Sequence, residues 1–220
     1  MNAELPTIIE RRRIASPAPT PQALTWDDNV LWMGSRDLRR IYAIDPRNEK
    51  VIEETAAPGT PWAAVATGEE IRFTLGEGPD DDRYIRRYVP ESQQWEDERI
   101  ECPEFTGSYL SFDGDHLYLS QWYKGRIMKL DESGNILQTI NVSGEICGHV
   151  FVDGSIYVLH GTEQNGEHWA IARLNPQLQT PVVEDLAVVP FASRSLTFDG
   201  ESFWSNHRAA DTIISFGLPS

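Results

Sequence analysis

"GSYLSFDGDHLYLSQ" occupies residues 107–121, and "SRSLTFDGESFWSNH" occupies 193–207. Each phrase is an alternating apolar run, an Asp-Gly turn and a second alternating run. Alternation puts every second side chain on one face of a strand, and Gly supplies the positive φ of a tight turn. Both phrases therefore read as β-hairpins. Three more match them: "ALTWDDNVLWMGS" from Ala23, "AAVATGEEIRFTL" from Ala63 and "HVFVDGSIYVLHG" from His149, alongside the copies from Tyr109 and Ser195. The turn residues Asp28, Gly68, Gly114, Gly154 and Gly200 are spaced by 40, 46, 40 and 46 positions.

A third strand follows each hairpin, at 39–45, 83–89, 125–131, 169–175 and 211–217. After the first four of these come a turn and a fourth, more charged strand, such as "WEDERIE". Four strands per 40–46 residues is the period of a propeller blade. The fifth repeat ends after three strands, at "ISFGLPS". Residues 7–14, "TIIERRRI", followed by the Pro-rich "SPAPTP", supply the missing one. The expectation is an all-β, five-bladed β-propeller of four antiparallel strands per blade. It fills residues 1–220 as one domain, and the N-terminal strand closes the ring. Closure removes two sheet edges that would otherwise invite aggregation. The seven Trp, seven Tyr and eight Phe suit strands better than helices. "PRNEKVIEETAA" has helical spacing, but its place in the repeat makes it a strand.

The net charge of −15 argues against nucleic acid and anionic membrane surfaces as partners, since either would be repelled. The one basic run, Arg11-Arg12-Arg13, falls on the closing strand and reads as a solvated edge. Cys102 and Cys147 fit neither a zinc spacing nor a redox pair, so two reduced thiols are expected. The opening residues lack a signal-peptide core and no run is long and apolar enough to span a bilayer, so a cytoplasmic location is expected.

The last repeat, with "LTFDGESFWSN" at 196–206 and "IISF" at 213–216, resembles the blades of bacterial propellers of the streptogramin-lyase, gluconolactonase and NHL-repeat type. In size and blade number the chain is similar to the plant-type glutaminyl cyclases. The resemblance implies the fold and carries over no catalytic residue.

Propeller geometry says which residues meet. The start of every first strand and the end of every second strand lie on one face, around the axis. That mouth collects His149, His160 and His207, with Glu163 or Glu145 as a partner acid. Arg194, Arg36, Trp62, Gln121, Trp122, Tyr109 and Asn206 join them there as ligand-binding candidates. Three readings of the histidines stay open. They ligate a divalent metal, one of them serves as an acid or base, or they are polar residues at a wet channel mouth. Arg194 and Arg36 can fork to a carboxylate or phosphate, or pair with Glu145, Asp37 or Glu163. Trp26, Trp32 and Trp204 belong to the packing between blades. His116 and His168 are expected to face solvent.

The primary expectation is a propeller that binds a small polar ligand or a peptide end at this mouth. One alternative is an enzyme of lyase, lactonase or cyclotransferase type using the same mouth. Another is a scaffold for protein contacts. No Gly-rich phosphate loop precedes a helix, since "GEGPDDD" at 76–82 reads as a loop, and no nucleophile elbow is present.

Overall fold

A computed structural model describes residues 4–164 and 166–219. Strand β1 is Ile9–Ala15. The first blade is β2 (Pro21–Asp27), β3 (Val30–Ser35), β4 (Arg40–Asp45) and β5 (Lys50–Ala56). The second is β6 (Thr60–Ala66), β7 (Ile71–Glu77), β8 (Asp82–Val89) and β9 (Gln94–Glu101). The third is β10 (Leu110–Phe112), β11 (Leu117–Gln121), β12 (Arg126–Leu130) and β13 (Ile136–Asn141). The fourth is β14 (Glu145–Val152), β15 (Ser155–Thr162), β16 (His168–Leu174) and β17 (Glu184–Val189). The fifth is β18 (Ser193–Phe198), β19 (Phe203–His207) and β20 (Thr212–Gly217), with β1 as its outer strand. Five antiparallel four-stranded sheets thus form the ring. The only helical pieces among the described residues are two short 3-10 turns.

The ring closes where expected. Strand β1 runs antiparallel to β20, from Ile9 opposite Gly217 to Ala15 opposite Thr212. Its start lies two residues later than the sequence pattern set it, because Thr7 instead bridges Val188 of the fourth blade. The three arginines of β1 are on this outer edge, and each has a carboxylate: Arg11 with Glu201, Arg12 with Glu49 and Arg13 with Glu10. The hairpin turns also follow their chemistry. Gly68, Gly114, Gly154 and Gly200 all have positive φ, and Asp28-Asn29 supplies it in the first blade.

Burial grades outward from the axis. Strand β2 is buried over its first five residues, whereas β5 and β9 are mostly exposed. Aromatic side chains fill the wedges between neighbouring sheets. Trp26 stacks on Trp204 at 6.2 Å between the first and fifth blades. Trp32 meets Tyr88 edge-on at 5.6 Å between the first and second. Tyr118 meets Phe151 at 4.7 Å between the third and fourth. Near the axis the inner strands crowd. A Cβ on Gly148 would stand 2.6 Å from the Ser195 backbone of the next blade, so only Gly fits there. Cys102 and Cys147 are both free and buried, and burial pushes the Cys102 thiol up to about 12. No helix among the described residues is long and apolar enough to cross a membrane.

The candidate site at the axial mouth

The inner strands do not enter the ring as regular strands. Pairing slips between Pro21 and Ala23, between Pro61 and Ala63, between Ile146 and Gly148, and between Arg194 and Thr197. Each slip is a β-bulge: an extra residue breaks the alternation and re-aims a side chain, a device that recurs beside functional sites. Gln22 and Trp62 are the extra residues of their blades, and Arg194 is the last paired residue before the slip in its own. In the third blade Ser108 takes the corresponding place, and Tyr109 follows it opposite Ser120, its N–H donating to Ser120 Oγ.

These side chains converge on a cavity of about 500 Å³ at the mouth. Of the sequence candidates, Arg36, Trp62, Tyr109, Gln121, Trp122, Glu163 and Arg194 line it. Arg194 is its most buried charge, with a side chain 1% exposed. Its guanidinium donates to Glu163, to both oxygens of Glu167 at 2.9 and 3.1 Å, and to the Ser193 carbonyl at 2.6 Å. It also lies 5.0 Å from the Trp122 ring and 5.5 Å from that of Trp169. Burial opposes the Arg194 charge, but its hydrogen bonds to Glu167 and nearby acidic groups outweigh it, and its pKa is raised. Burial likewise works against the Glu167 carboxylate, and Arg194 and the Trp169 indole N–H hold its pKa down. This pairing is the salt-bridge reading of Arg194, with Glu167 added to Glu163.

A second network runs beside it. Gln22, 1% exposed, donates to the Tyr109 hydroxyl at 3.0 Å and accepts from Arg208 at 2.9 Å. On the second blade Arg83 lies 3.9 Å over the Trp62 ring and pairs with Asp81 at 2.7 Å. Gln121 is spent on structure: its amide nitrogen donates to the Pro103 and Thr106 carbonyls and to Thr106 Oγ1, and its oxygen accepts from Arg126. Asn206 is fully buried away from the cavity, donating to the Gln22 and Ala23 carbonyls at 3.2 Å and so pinning the fifth blade to the first.

The three histidines are not brought together. The bulge at Cys147 turns His149 toward the neighbouring inner strand. There Nε2 donates to the Tyr109 carbonyl at 3.2 Å and Nδ1 accepts from Ser111 Oγ at 2.6 Å. Burial pushes the His149 pKa down to about 4. His160 points the other way, with Nδ1 on the Ser143 carbonyl at 2.8 Å and Nε2 on Asp185 at 2.7 Å. His207 lies 5.2 Å from Phe191 with Nδ1 3.5 Å from Arg13; burial first, then Arg13, lowers its pKa. Among the described residues no group of three or more His, Cys, Asp or Glu is arranged to hold a metal ion. The expected histidine ligand set for a divalent metal is therefore not assembled. His168 is exposed, but His116 is half-buried beside Asp115 and lines a second cavity of about 440 Å³, on the hairpin side of the second and third blades. That differs from the solvent-facing position expected of it.

Sequence reasoning passed over Gln22, Arg83, Glu167 and Arg208. Gln22 and Arg208 carried a signal, since Gln22 occupies the same repeat position as Trp62, and Arg208 the same one as Arg36 and Trp122. Glu167 and Arg83 lie in or just after loops whose reach the repeat does not encode.

Fold and cavity together define a five-bladed β-propeller with an axial site. No protein-family model matches the chain, and no curated protein matches it. Among solved structures it is similar to the glutaminyl cyclase of Myxococcus xanthus, with a TM-score of 0.74 and 10% identity over 98% of both chains. It is also similar to a PQQ-bound aldose sugar dehydrogenase from Streptomyces coelicolor, with a TM-score of 0.64, 12% identity and coverage of 99% of this chain and 84% of that one. A virginiamycin B lyase from Staphylococcus aureus gives a TM-score of 0.55 at 14% identity, covering 94% and 99%. At these identities the likeness is one of fold, and a shared fold does not assign an activity.

Proposed function

We propose that this propeller binds a small polar ligand or a peptide end in its axial cavity. The observation that carries this reading is the bulged start of the inner strands, which turns Gln22, Trp62 and Arg194 into one enclosure of about 500 Å³. Such a volume is within the range of small-molecule sites, and the mixture of aromatic walls with a few fixed polar groups is their usual lining. The buried ion pairs hold those groups in place before any ligand arrives, which lowers the ordering cost of binding.

A thermal-shift panel of small polar metabolites and short peptides tests the reading. A ligand at about 100 times its Kd stabilises by about 2.7 kcal/mol, which raises Tm by several degrees in a chain of this length. Thr106→Trp, at an exposed residue on the cavity lining, is expected to abolish the shift by filling the mouth. Shifts that survive this substitution place binding elsewhere.

A second reading is an enzyme of cyclotransferase type. It is favoured by the match along nearly the whole of a glutaminyl cyclase, with Glu163 as a carboxylate on the cavity lining. Incubation with a glutaminyl peptide separates the two: a cyclised product that disappears in Glu163→Gln selects the enzyme.

A further inference from the structure

The ionic partners of the cavity are uneven. Five cations line it: Arg36, Arg83, Lys124, Arg194 and Arg208. Four have a carboxylate within hydrogen-bonding distance. Arg36 has Asp37 at 3.3 Å, Arg83 has Asp81, Lys124 has Glu104, and Arg194 has Glu163 and Glu167. Arg208 stands apart. Its nearest carboxylate, at 4.0 Å, is Glu163, whose same oxygen already accepts from Arg194. The one hydrogen bond of its guanidinium among the described residues goes to a neutral group, the Gln22 amide oxygen. With its side chain 24% exposed, it is largely removed from water. Burial and the neighbouring Arg194 both work against its charge. The remaining acid on the lining, Asp80, is exposed at the rim, where water and salt screen it.

Resting on the ligand-binding reading above, we infer that the axial cavity takes a small planar monocarboxylate, with the carboxylate on the Arg208 guanidinium and the apolar body between Trp62 and Trp122. Gln22 anchors one arm of the guanidinium and leaves the rest of its fork for a carboxylate, the partner whose geometry it matches. One guanidinium with no carboxylate in hydrogen-bonding distance suits a single carboxylate. A phosphate dianion would need further cations, and the others are already neutralised. An ammonium group has no open carboxylate inside the cavity, since Glu163 is held by Arg194, Asp81 pairs with Arg83, and Asp80 lies at the screened rim. Tyr123, 85% exposed, and Phe105, 41% exposed, extend the aromatic lining to the rim. A flat ring gains both area and face contacts against such walls.

The test is calorimetric titration of N-acetylphenylalanine, its uncharged amide, and cationic phenylalaninamide into the wild-type chain, Arg208→Gln and Thr106→Trp. A charge-assisted hydrogen bond contributes about 1.5–3 kcal/mol, so the acid is expected to bind ten- to hundredfold tighter than its amide. Arg208→Gln should erase that preference, and Arg208→Lys, which keeps the charge but not the fork, should restore part of it. A short peptide ending in phenylalanine with a free carboxylate tells a peptide C-terminus from a free acid; in both cases the anchor is the carboxylate. An acid preference that persists in Arg208→Gln overturns the inference. So does an amide or cation that binds the wild type as well as the acid. If such a probe loses binding in Thr106→Trp, the cavity remains a ligand site and only its carboxylate selectivity fails. If no probe binds and no panel compound gives a shift sensitive to Thr106→Trp, both readings fail.

Discussion

Arg194→Met is expected to lower the unfolding free energy by about 3 kcal/mol and Tm by roughly 6–12 °C. Methionine keeps most of the side-chain volume, so the loss isolates the charge. In the wild type the guanidinium is 1% exposed and serves Glu163, Glu167 and the Ser193 carbonyl while facing two tryptophan rings. Without it, two carboxylates share a partly buried gap in which the remaining cation, Arg208, stands 4.0 Å from Glu163. Removing one member of a buried pair costs about 3–5 kcal/mol. The lower end applies here, because the Glu163 and Glu167 side chains are 37% and 29% exposed and water recovers part of the loss. Neutralising the acids as well, in Arg194→Met/Glu163→Gln/Glu167→Gln, should recover much of the stability. Denaturant unfolding measures both, and a loss below about 1 kcal/mol in the single variant would show that the cluster is not held as described.

The second large effect is a dependence on acid set by His149. Its ring is neutral in the fold, with Nε2 donating and Nδ1 accepting, and burial lowers its pKa from 6.5 to about 4. The unfolded chain takes up a proton near pH 6.5 and the folded one resists until about pH 4. In this interval the unfolded state binds more protons, so stability falls as pH falls. The His149 contribution is intact above pH 6.5, is down by about 2 kcal/mol at pH 5, and levels off at about 3 kcal/mol below pH 4. His207 shifts in the same direction and adds to the slope. Carboxylates that titrate in the folded state act mostly below pH 5, which leaves the 6.5–5 interval to the histidines. His149→Gln should flatten the curve there, whatever it costs in absolute stability. An unchanged slope in that variant would mean that His149 is not the buried group that titrates.

The repeat made the ring readable because hairpin turns obey local rules. Asp-Gly and Gly-Glu turns need positive φ, and the strands between them alternate with a period of two, so blade number and ring closure follow from counting. The mouth was readable by position: Trp62, Trp122, Arg194 and Glu163 lie on the cavity because the starts and ends of inner strands must meet there. The direction of individual side chains was not. His149 and His160 bracket one hairpin, and strict alternation would bring both to the rim. The bulge at Cys147 breaks that alternation, so one turns to Ser111 and the other to Asp185. A bulge shifts one strand by one residue and leaves no mark in composition. Arg208 and Gln22 share the repeat positions of Trp122 and Trp62, and were not singled out because polar residues at a wet mouth look ordinary until their partners are known.

The proposed binding of a ligand in the axial cavity is read out most directly by the Trp indole N–H resonances, assigned by single Trp→Phe substitutions and followed as panel compounds are added. Of the seven tryptophans, Trp62 and Trp122 line the cavity, whereas Trp32 and Trp204 are buried between blades. A true ligand is predicted to move the Trp62 and Trp122 signals saturably while leaving those of Trp32 and Trp204 in place. Saturable binding that leaves Trp62 and Trp122 unmoved would contradict the account.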